Sequence, residues 1–191
     1  MMLTLWGTAA LAYALTSRLA YVVGVGTFLR RQERGRFTGG FPRFRRTAAA
    51  LMANDGASFL LLCVATRGSL DVAVSNVVMI AAGSALVVLG LGVKLWARAT
   101  LGTEAYYWHN FFEPPPPETP APPATAGPYR YLRNPMYSVG NVHLYGLALI
   151  AGSAPALAAA VFAHVAILAF YQVVERPHFE RLTGQSRGNP A

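Results

Sequence analysis

Long apolar stretches that alternate with arginine-rich segments constrain this chain more than any other feature of its sequence. A predominantly apolar stretch of about twenty residues is long enough to cross the hydrocarbon core of a bilayer as a helix. Spans of this kind cover approximately residues 3–28, 47–66, 72–97, 136–150 and 156–174. The pattern predicts an all-α integral membrane protein with about five transmembrane helices, folded as a single domain over residues 1–191.

The composition supports the same class of protein. Hydrophobic residues make up 54% of the chain and charged residues 13%, whereas soluble domains carry about a quarter charged residues. The formal charge of +8 is concentrated between the apolar spans, which fits the positive-inside rule and attraction to anionic lipid headgroups rather than nucleic-acid binding. This distribution predicts a bacterial-type inner membrane protein with its N-terminus outside and its C-terminus in the cytoplasm. The single cysteine, Cys63, excludes an intramolecular disulfide.

Two charged residues lie inside apolar spans. Arg18 precedes the first residue of the basic loop, Arg30, by twelve positions, and Asp55 follows the last, Arg46, by nine. At about 1.5 Å per residue, their depths in two adjacent antiparallel helices differ by only a few ångström. Because an unpaired charge in the membrane is costly, we predict that Arg18 and Asp55 form an ion pair with a structural role.

The last two apolar spans are joined by the short turn of residues 151–155, which predicts a helical hairpin. The first arm is short for a full crossing, so part of residues 131–137 is expected to extend it. Since a hairpin returns the chain to the side that it left, residues 129–137 and 175–184 should face each other at one membrane surface. The Arg, Asn, Tyr, His and Glu side chains concentrated there predict a cofactor pocket on the cytoplasmic side.

The same two segments carry a family resemblance. Residues 127–137 read Gly-Pro-Tyr-Arg-Tyr-Leu-Arg-Asn-Pro-Met-Tyr, which resembles the G-x-Y-x-x-x-R-H-P-x-Y signature of the isoprenylcysteine carboxyl methyltransferase and phospholipid N-methyltransferase superfamily. Residues 175–184 are similar to its downstream E-E-x-x-L-x-x-x-F-G segment. Asn134 stands where the family usually has His, Arg176 where it has a second Glu, and Thr183 where it has Phe. The resemblance covers roughly residues 90–184 and identifies a divergent member.

The resemblance implies a membrane enzyme that transfers a methyl group from S-adenosylmethionine to a lipid or prenylated acceptor. It implies catalytic roles for Arg133, Asn134 and Glu175. The cofactor-binding residues that it implies are Tyr129, Arg130, Arg133, Asn134, Pro135, Tyr137, Gly140, Glu175 and His178. The expected acceptor-binding residues are the interfacial aromatic segment Tyr106, Tyr107, Trp108 and His109, together with His143 in the first arm of the hairpin. No Cys or His set has the spacing of a metal site, so no metal is expected.

The residue types suit this chemistry. Arginine binds a carboxylate through a fork of N–H groups, a glutamate receives an amine or ribose hydroxyls, and aromatic rings attract a sulfonium. An amine acceptor must lose a proton, for which His178, Glu175 or His143 is available, whereas a carboxylate acceptor needs no base. Asn134 keeps one hydrogen bond of the family histidine but cannot become cationic, and Arg176 is expected to reverse a charge beside the pocket.

Other functions are open from the sequence. The architecture also resembles the C-terminal part of sterol reductases, so an NADPH-dependent membrane reductase is the enzymatic alternative. A non-catalytic lipid-binding membrane protein is the alternative outside enzymes. Among acceptors, a prenylcysteine carboxylate, a phospholipid amine, and a quinone or sterol-like molecule all fit. Residues 113–123, with seven prolines, predict an extended connector that leads into the motif.

Overall fold

The computed structural model describes residues 4–35, 40–113 and 126–187, and within these ranges every regular element is a helix. The α-helices are α1 (Leu5–Glu33), α2 (Gly40–Ala65), α3 (Asn76–Leu101), the single turn α4 (Thr103–Tyr106), α5 (His143–Ala151), α6 (Ala154–Phe170) and α7 (Arg176–Arg187). Short 3₁₀ turns lie at His109–Phe111, Gly127–Arg130 and Val139–Val142, and a π-helical turn, Tyr171–Glu175, joins α6 to α7. The all-α prediction is confirmed. Of the predicted proline-rich connector, only Glu113 lies within the described residues.

Four helical segments of the described chain are long and apolar enough to cross a membrane: α1, α2, α3 and the continuous stretch Ala154–Leu182. The fifth predicted span, residues 136–150, forms only α5 and the 3₁₀ turn before it. The expected extension through residues 131–137 is wrong. Pro135 disfavours helical backbone at the residue before it, and the Pro135 carbonyl accepts a hydrogen bond from Gly140, five residues on, which does not continue an α-helix.

Two clusters of buried side chains hold the bundle together. One includes aromatic residues of α1, α2 and α6, among them Tyr21, Phe44 and Phe170. The other is built mainly from alanines of α1, α5 and α6 packed around Phe59 of α2. By contrast, α3 exposes many large apolar side chains, such as Val77. In a helix of this length, such a face suits contact with lipid.

Glycines bring α3 close to α5. A methyl group added at Gly83 would lie 2.7 Å from the carbonyl oxygen of Gly146, and one added at Gly146 would overlap the carbonyl oxygen of Gly83. A methyl group at Gly90 would lie 2.6 Å from the backbone nitrogen of His143. Small residues at these crossings let helices pack tightly where no hydrophobic effect drives them together.

We predict that Gly146→Ala destabilises the protein, because its new methyl group would collide with the backbone of α3. Overpacking of this kind costs about 1–3 kcal/mol, which corresponds to a decrease in Tm of roughly 3–10 °C. Thermal unfolding of the detergent-purified protein measures the effect. Gly92→Ala is the matched control, since no described atom lies within 4 Å of the position of its Cβ. Equal Tm values for the two variants would contradict this packing interpretation.

The predicted ion pair between Arg18 and Asp55 is confirmed. Arg18 Nη2 lies 2.8 Å from Asp55 Oδ2, and the two side chains are only 8% and 11% exposed. Beside this pair, Asn54 Nδ2 donates a hydrogen bond to Ser17 Oγ at 2.9 Å, and the hydroxyl of Tyr13 donates one to Asn54 Oδ1 at 2.7 Å. Polar contacts therefore join α1 and α2 within the apolar part of the bundle.

The predicted hairpin is formed by α5 and α6. Gly152 ends α5 in the left-handed conformation with φ 57°, which favours glycine, and Ser153 Oγ caps α6 by accepting a hydrogen bond from the backbone N–H of Ala156. Ser153 Oγ also shares a hydrogen bond of 2.6 Å with Thr66 Oγ1 near the end of α2. The turn is thereby fixed, and the end of α6 returns to the level of residues 129–137.

Candidate functional site

Glu175 is the centre of the candidate site. Its side chain is buried in the π-helical turn between α6 and α7. Glu175 Oε1 accepts a hydrogen bond from Trp108 Nε1 at 2.5 Å and another from the phenol of Tyr137. The two polar segments of the sequence therefore contact each other, as predicted. Because both donors use the same oxygen, Glu175 Oε2 is the oxygen that can accept a hydrogen bond from a bound molecule.

Trp108 reaches Glu175 from a strained backbone. It has φ 57° and ψ 35°, and it is the only described non-glycine residue with a positive φ. This left-handed conformation costs about 1–2 kcal/mol. Edge-to-face contacts of the buried indole with Phe44 and Phe170, together with the hydrogen bond to Glu175, offset that cost. Strain of this kind often accompanies functional sites.

Asn134 shapes the turn that positions Tyr137. Its Oδ1 accepts a hydrogen bond from the backbone N–H of Tyr137 at 3.2 Å. Its carbonyl oxygen accepts one from the backbone N–H of Ser138 at 3.0 Å and one from Ser138 Oγ at 2.6 Å. These contacts describe a positioning role within the turn, and the catalytic role stays a prediction.

Tyr129 places an unpaired donor near Glu175. Its hydroxyl is buried and has no hydrogen-bond partner among the described residues. Burial raises the pKa of the Tyr129 phenol, and the nearby negative charge of Glu175 raises it further, so the phenol keeps its proton. A buried donor without an acceptor is costly, and a bound molecule that accepts this hydrogen bond would remove the cost.

The other predicted cofactor residues of the motif divide into buried and exposed ones. Pro135 and Gly140 are buried and joined by a hydrogen bond of 2.7 Å from the Gly140 N–H to the Pro135 carbonyl, so they shape the backbone. Arg130 and Arg133 are exposed, and the guanidinium of Arg130 lies 5.9 Å from the ring centroid of Tyr131. Their exposed guanidinium groups suit an anionic group that approaches from outside the bundle.

Arg176 does not face the candidate site. Its Nε donates a hydrogen bond to Glu180 Oε1 at 2.8 Å, and its Nη1 donates one to Gln172 Oε1 at 3.1 Å. Both partners lie four residues away along the exposed helical face, where such pairs meet. The expectation that Arg176 reverses a charge beside the pocket is therefore wrong.

A groove of about 760 Å³ lies between the end of α1 and α7, and His178 is among its lining residues. His178 Nδ1 lies 2.7 Å from Glu33 Oε1, which also pairs with Arg181, and the His178 ring stacks on Phe111 at 3.6 Å between centroids. Asn110 Nδ2, also at the groove, is buried without a hydrogen-bond partner among the described residues. The volume suits a nucleoside-sized ligand.

The predicted acceptor-binding aromatic segment is only partly directed at Glu175. Trp108 contacts that carboxylate directly. Tyr106 and Tyr107 pack edge to face at 5.1 Å between ring centroids. His109 is turned towards the start of α2, where its ring lies 4.5 Å from that of Phe41. The segment therefore supplies one direct contact to the site and a surrounding aromatic wall.

His143, the remaining predicted acceptor residue, has one ring nitrogen engaged. Its Nδ1 donates a hydrogen bond of 2.7 Å to the carbonyl oxygen of Gly140. In the neutral ring this arrangement puts the proton on Nδ1 and leaves the lone pair on Nε2. His143 Nε2 can therefore accept a proton or a hydrogen bond.

Tyr21 belongs to the site although no sequence motif marks it. It is buried in α1 and lies within electrostatic reach of Glu175 and of Asp55. The guanidinium of Arg18 lies 5.5 Å from its ring centroid. Tyr21 thus connects the candidate site to the intramembrane ion pair. Its only sequence signal is a hydroxyl within an apolar span, three residues after Arg18.

Four membrane-length helices of the described chain define a helical membrane protein, and a buried carboxylate held by aromatic donors marks its candidate site. The family model for phospholipid methyltransferase matches residues 78–186, more than half of the chain. The chain belongs to the phospholipid methyltransferase family, part of the superfamily whose motif it resembles, and is an integral membrane protein. Enzymes of this family use S-adenosylmethionine as the methyl donor.

Curated relatives agree with the family. The phosphatidylethanolamine N-methyltransferase of Botryotinia fuckeliana is 34% identical over 140 residues, 72% of this chain. That of Talaromyces marneffei is 33% identical over 141 residues, 73% of this chain, and that of Candida albicans is 37% identical over 105 residues, 55% of this chain. The chain spans only 14%, 14% and 12% of the lengths of these three relatives. No solved structure matches the chain.

Proposed function

We propose that this protein transfers a methyl group from S-adenosylmethionine to the amine of a phospholipid headgroup, at the end of the bundle where Trp108 and Tyr137 hold Glu175. The observation that carries the proposal is this buried carboxylate with one oxygen available to a ligand, in a chain of the phospholipid methyltransferase family. Of the motif side chains, Tyr137 binds this carboxylate, Asn134 holds the turn that carries Tyr137, and Tyr129 is near enough for the charge of Glu175 to act on it.

The residues present fit the methyl donor. Its hydroxyl and carboxylate oxygens can accept hydrogen bonds from the unpaired donors of Tyr129 and Asn110. The exposed Arg130 and Arg133 suit its carboxylate, and the stacked rings beside the groove offer an aromatic surface to its base. When bound, the donor supplies an electrophilic methyl group on a sulfonium.

Glu175 distinguishes an amine acceptor from a carboxylate acceptor. In its ionised form, the buried Glu175 would repel a carboxylate acceptor and attract an ammonium. An ammonium must also lose a proton before its nitrogen can attack, and Glu175 Oε2 can accept it, with His143 Nε2 as the second candidate. The prenylcysteine acceptor and the reductase alternative have no comparable support.

The proposal includes the orientation in the membrane. The end of the bundle that holds Glu175 also carries the arginines at the end of α1 and in α7, including Arg30 and Arg181. By the positive-inside rule, this end faces the cytoplasm, and the N-terminus of α1 lies outside. A water-soluble donor would then enter from the cytoplasm and a lipid acceptor from the bilayer.

The experiment supplies methyl-labelled S-adenosylmethionine to the purified protein in liposomes that contain phosphatidylethanolamine or a prenylcysteine lipid. We expect label in the phosphatidylethanolamine lipid that survives alkali, because N-methyl groups are stable where methyl esters are hydrolysed. Alkali-labile label in the prenylcysteine lipid would move the acceptor to a carboxylate. If no methyl group is transferred but added NADPH is oxidised, the result would support a reductase. If the protein binds lipid and neither reaction occurs, the result would support a non-catalytic protein.

We predict that Asn134→Ala lowers methyl transfer, because the turn that holds Tyr137 against Glu175 loses its side-chain cap. Loss of such a cap costs about 0.5–2 kcal/mol. If this whole cost is added to the activation barrier, kcat/KM falls roughly 2- to 30-fold. Asn134→Asp keeps an acceptor oxygen in the same position and should retain most activity. Equal losses in both variants would instead indicate a role for the amide N–H₂ group of Asn134.

A further inference from the structure

An excess of positive charge lies inside the bundle, next to the candidate site. Lys94, the only lysine of the chain, lies near enough to Arg18 and Asp55 for their charges to act on it. Asp55 is already paired with Arg18. Within the described residues, the one hydrogen bond of the Lys94 ammonium is a long one, 3.4 Å to Asn141 Oδ1. Lys94 forms no ion pair among the described residues, so this part of the bundle holds two cations and one carboxylate.

Two donors of this cluster are also unsatisfied. Arg18 Nε and Asn141 Nδ2 are buried and have no hydrogen-bond partner in the part of the chain that the structure describes. Both residues are more than nine-tenths buried, at 7% and 3% exposure. An unpaired cation and unpaired donors are each costly in a membrane protein interior. An anionic group with several acceptor oxygens would satisfy all of them at once.

We propose that Arg18, Lys94 and Asn141 form an intramembrane anion site that binds the phosphodiester of the lipid acceptor. The inference rests on the proposed function, because it assigns a place to the part of the acceptor that does not react. Asp55 holds Arg18 in position through Nη2, while Nε has no partner among the described residues and is left to the ligand.

The position of the cluster favours a lipid phosphate over the carboxylate of the methyl donor. Gly26 contacts Val174, the neighbour of Glu175, and Arg18 lies eight residues earlier in α1. At about 1.5 Å per residue, the Cα atom of Arg18 is roughly 12 Å deeper in the bundle than that of Val174, and its long side chain covers part of this distance. In a phospholipid, the phosphate lies between the amine and the acyl chains. When the amine reaches Glu175, we expect the phosphate on the membrane side of it, on the same side as Arg18.

The surroundings of Lys94 offer a route from the bilayer. Leu91 and Leu95, which flank it on α3, are 44% and 65% exposed. Lys94 therefore lies on a helix whose neighbouring side chains face lipid. The ring of Tyr21, 5.5 Å from the Arg18 guanidinium, packs in the same buried cluster as Trp108 and Tyr137 of the candidate site.

The test uses a phospholipid that cannot be methylated, so that binding is measured apart from turnover. Native mass spectrometry of the purified full chain compares dioleoylphosphatidylglycerol, which has a phosphodiester and no amine, with dioleoylglycerol, which has no phosphate. We expect Lys94→Gln to weaken binding of the phosphatidylglycerol about tenfold, with dioleoylglycerol unaffected, and Lys94→Arg to retain it. Arg45→Gln removes an exposed charge at the basic end of α2 and should change neither.

Unchanged phosphatidylglycerol binding in Lys94→Gln, or an equal loss in Arg45→Gln, would overturn the site. The anion bound by this cluster could also be the carboxylate of the methyl donor, and calorimetry with S-adenosylmethionine distinguishes the two. If Lys94→Gln loses affinity for S-adenosylmethionine and keeps its affinity for the phospholipid, the cluster binds the donor's carboxylate and the proposal is overturned. Lys94-dependent phospholipid binding without any methyl transfer would support the anion site while contradicting the proposed reaction. The Tm of each variant confirms that it is folded.

Discussion

Glu175→Gln is expected to lower kcat for methyl transfer at least about 100-fold while the protein stays folded. Glutamine keeps an Oε1 that can accept the hydrogen bonds of Trp108 and Tyr137, so the surrounding packing is preserved. The substitution removes the negative charge that attracts the acceptor ammonium and can take its proton. General bases contribute about 10²- to 10⁴-fold to rates. Initial rates of label transfer in liposomes, with a Tm for each variant, measure this effect.

Glu180→Gln is the matched control for this substitution. Glu180 lies on α7, is exposed, and pairs with Arg176 on the outer face of the helix. Its removal changes the net charge by the same amount as Glu175→Gln, and we expect the rate to stay within about twofold of wild type, since exposed pairs contribute little. A wild-type rate in Glu175→Gln would exclude Glu175 as the proton acceptor and direct attention to His143.

Asp55→Leu is expected to destabilise the protein by about 3–5 kcal/mol, because it leaves the buried guanidinium of Arg18 without its partner. For a chain of this size, this corresponds to a decrease in Tm of roughly 10 °C or more. Thermal unfolding in detergent measures the loss. The exchanged pair, Arg18→Asp with Asp55→Arg, should recover a large part of it, since both charges are again compensated.

The double variant Arg18→Met with Asp55→Leu separates stability from ligand binding. Apolar replacement of a whole buried pair is often neutral or stabilising, so its Tm should lie close to that of wild type. Its affinity for a phosphodiester lipid should still fall, because Arg18 Nε is gone.

The exchanged pair provides the outcome that would contradict the role of the ion pair. If Arg18→Asp with Asp55→Arg is as unstable as Asp55→Leu alone, the ion pair is not the cause of the stability difference.

The pairing of Arg18 with Asp55 could be predicted because it depends on depth alone. The number of residues between each charge and the basic loop gives the depth of that charge in its helix. Two side chains at equal depth in adjacent antiparallel helices lie close together. The hairpin could be predicted from its short turn, and with it the meeting of residues 129–137 with residues 175–184, which the bond between Tyr137 and Glu175 bears out. The length of α5 could not be predicted in this way. Pro135 and the side chain of Asn134 favour a local turn just before a stretch whose apolar pattern predicts a helix.

The direction in which side chains point could not be predicted. Trp108 and Glu175 are 67 residues apart, and their hydrogen bond depends on a left-handed backbone at Trp108 that no sequence rule assigns to tryptophan. Arg176 follows Glu175 directly, yet the helix turns it to the opposite side, where Glu180 binds it. Neighbours in a motif can thus belong to different surfaces.

The sequence by itself determined the class of protein, four of the five predicted helical spans, the intramembrane pair and the residues of the family motif. Apolar length, charge spacing and residue type can all be read along the chain without knowing how it folds. Only the tertiary structure decided that Trp108 holds Glu175, that Arg176 faces outward, and that Lys94 bonds an Asn141 whose Nδ2 has no partner among the described residues. These contacts depend on how each helix is rotated about its axis and packed, and that rotation is set by all neighbouring side chains together.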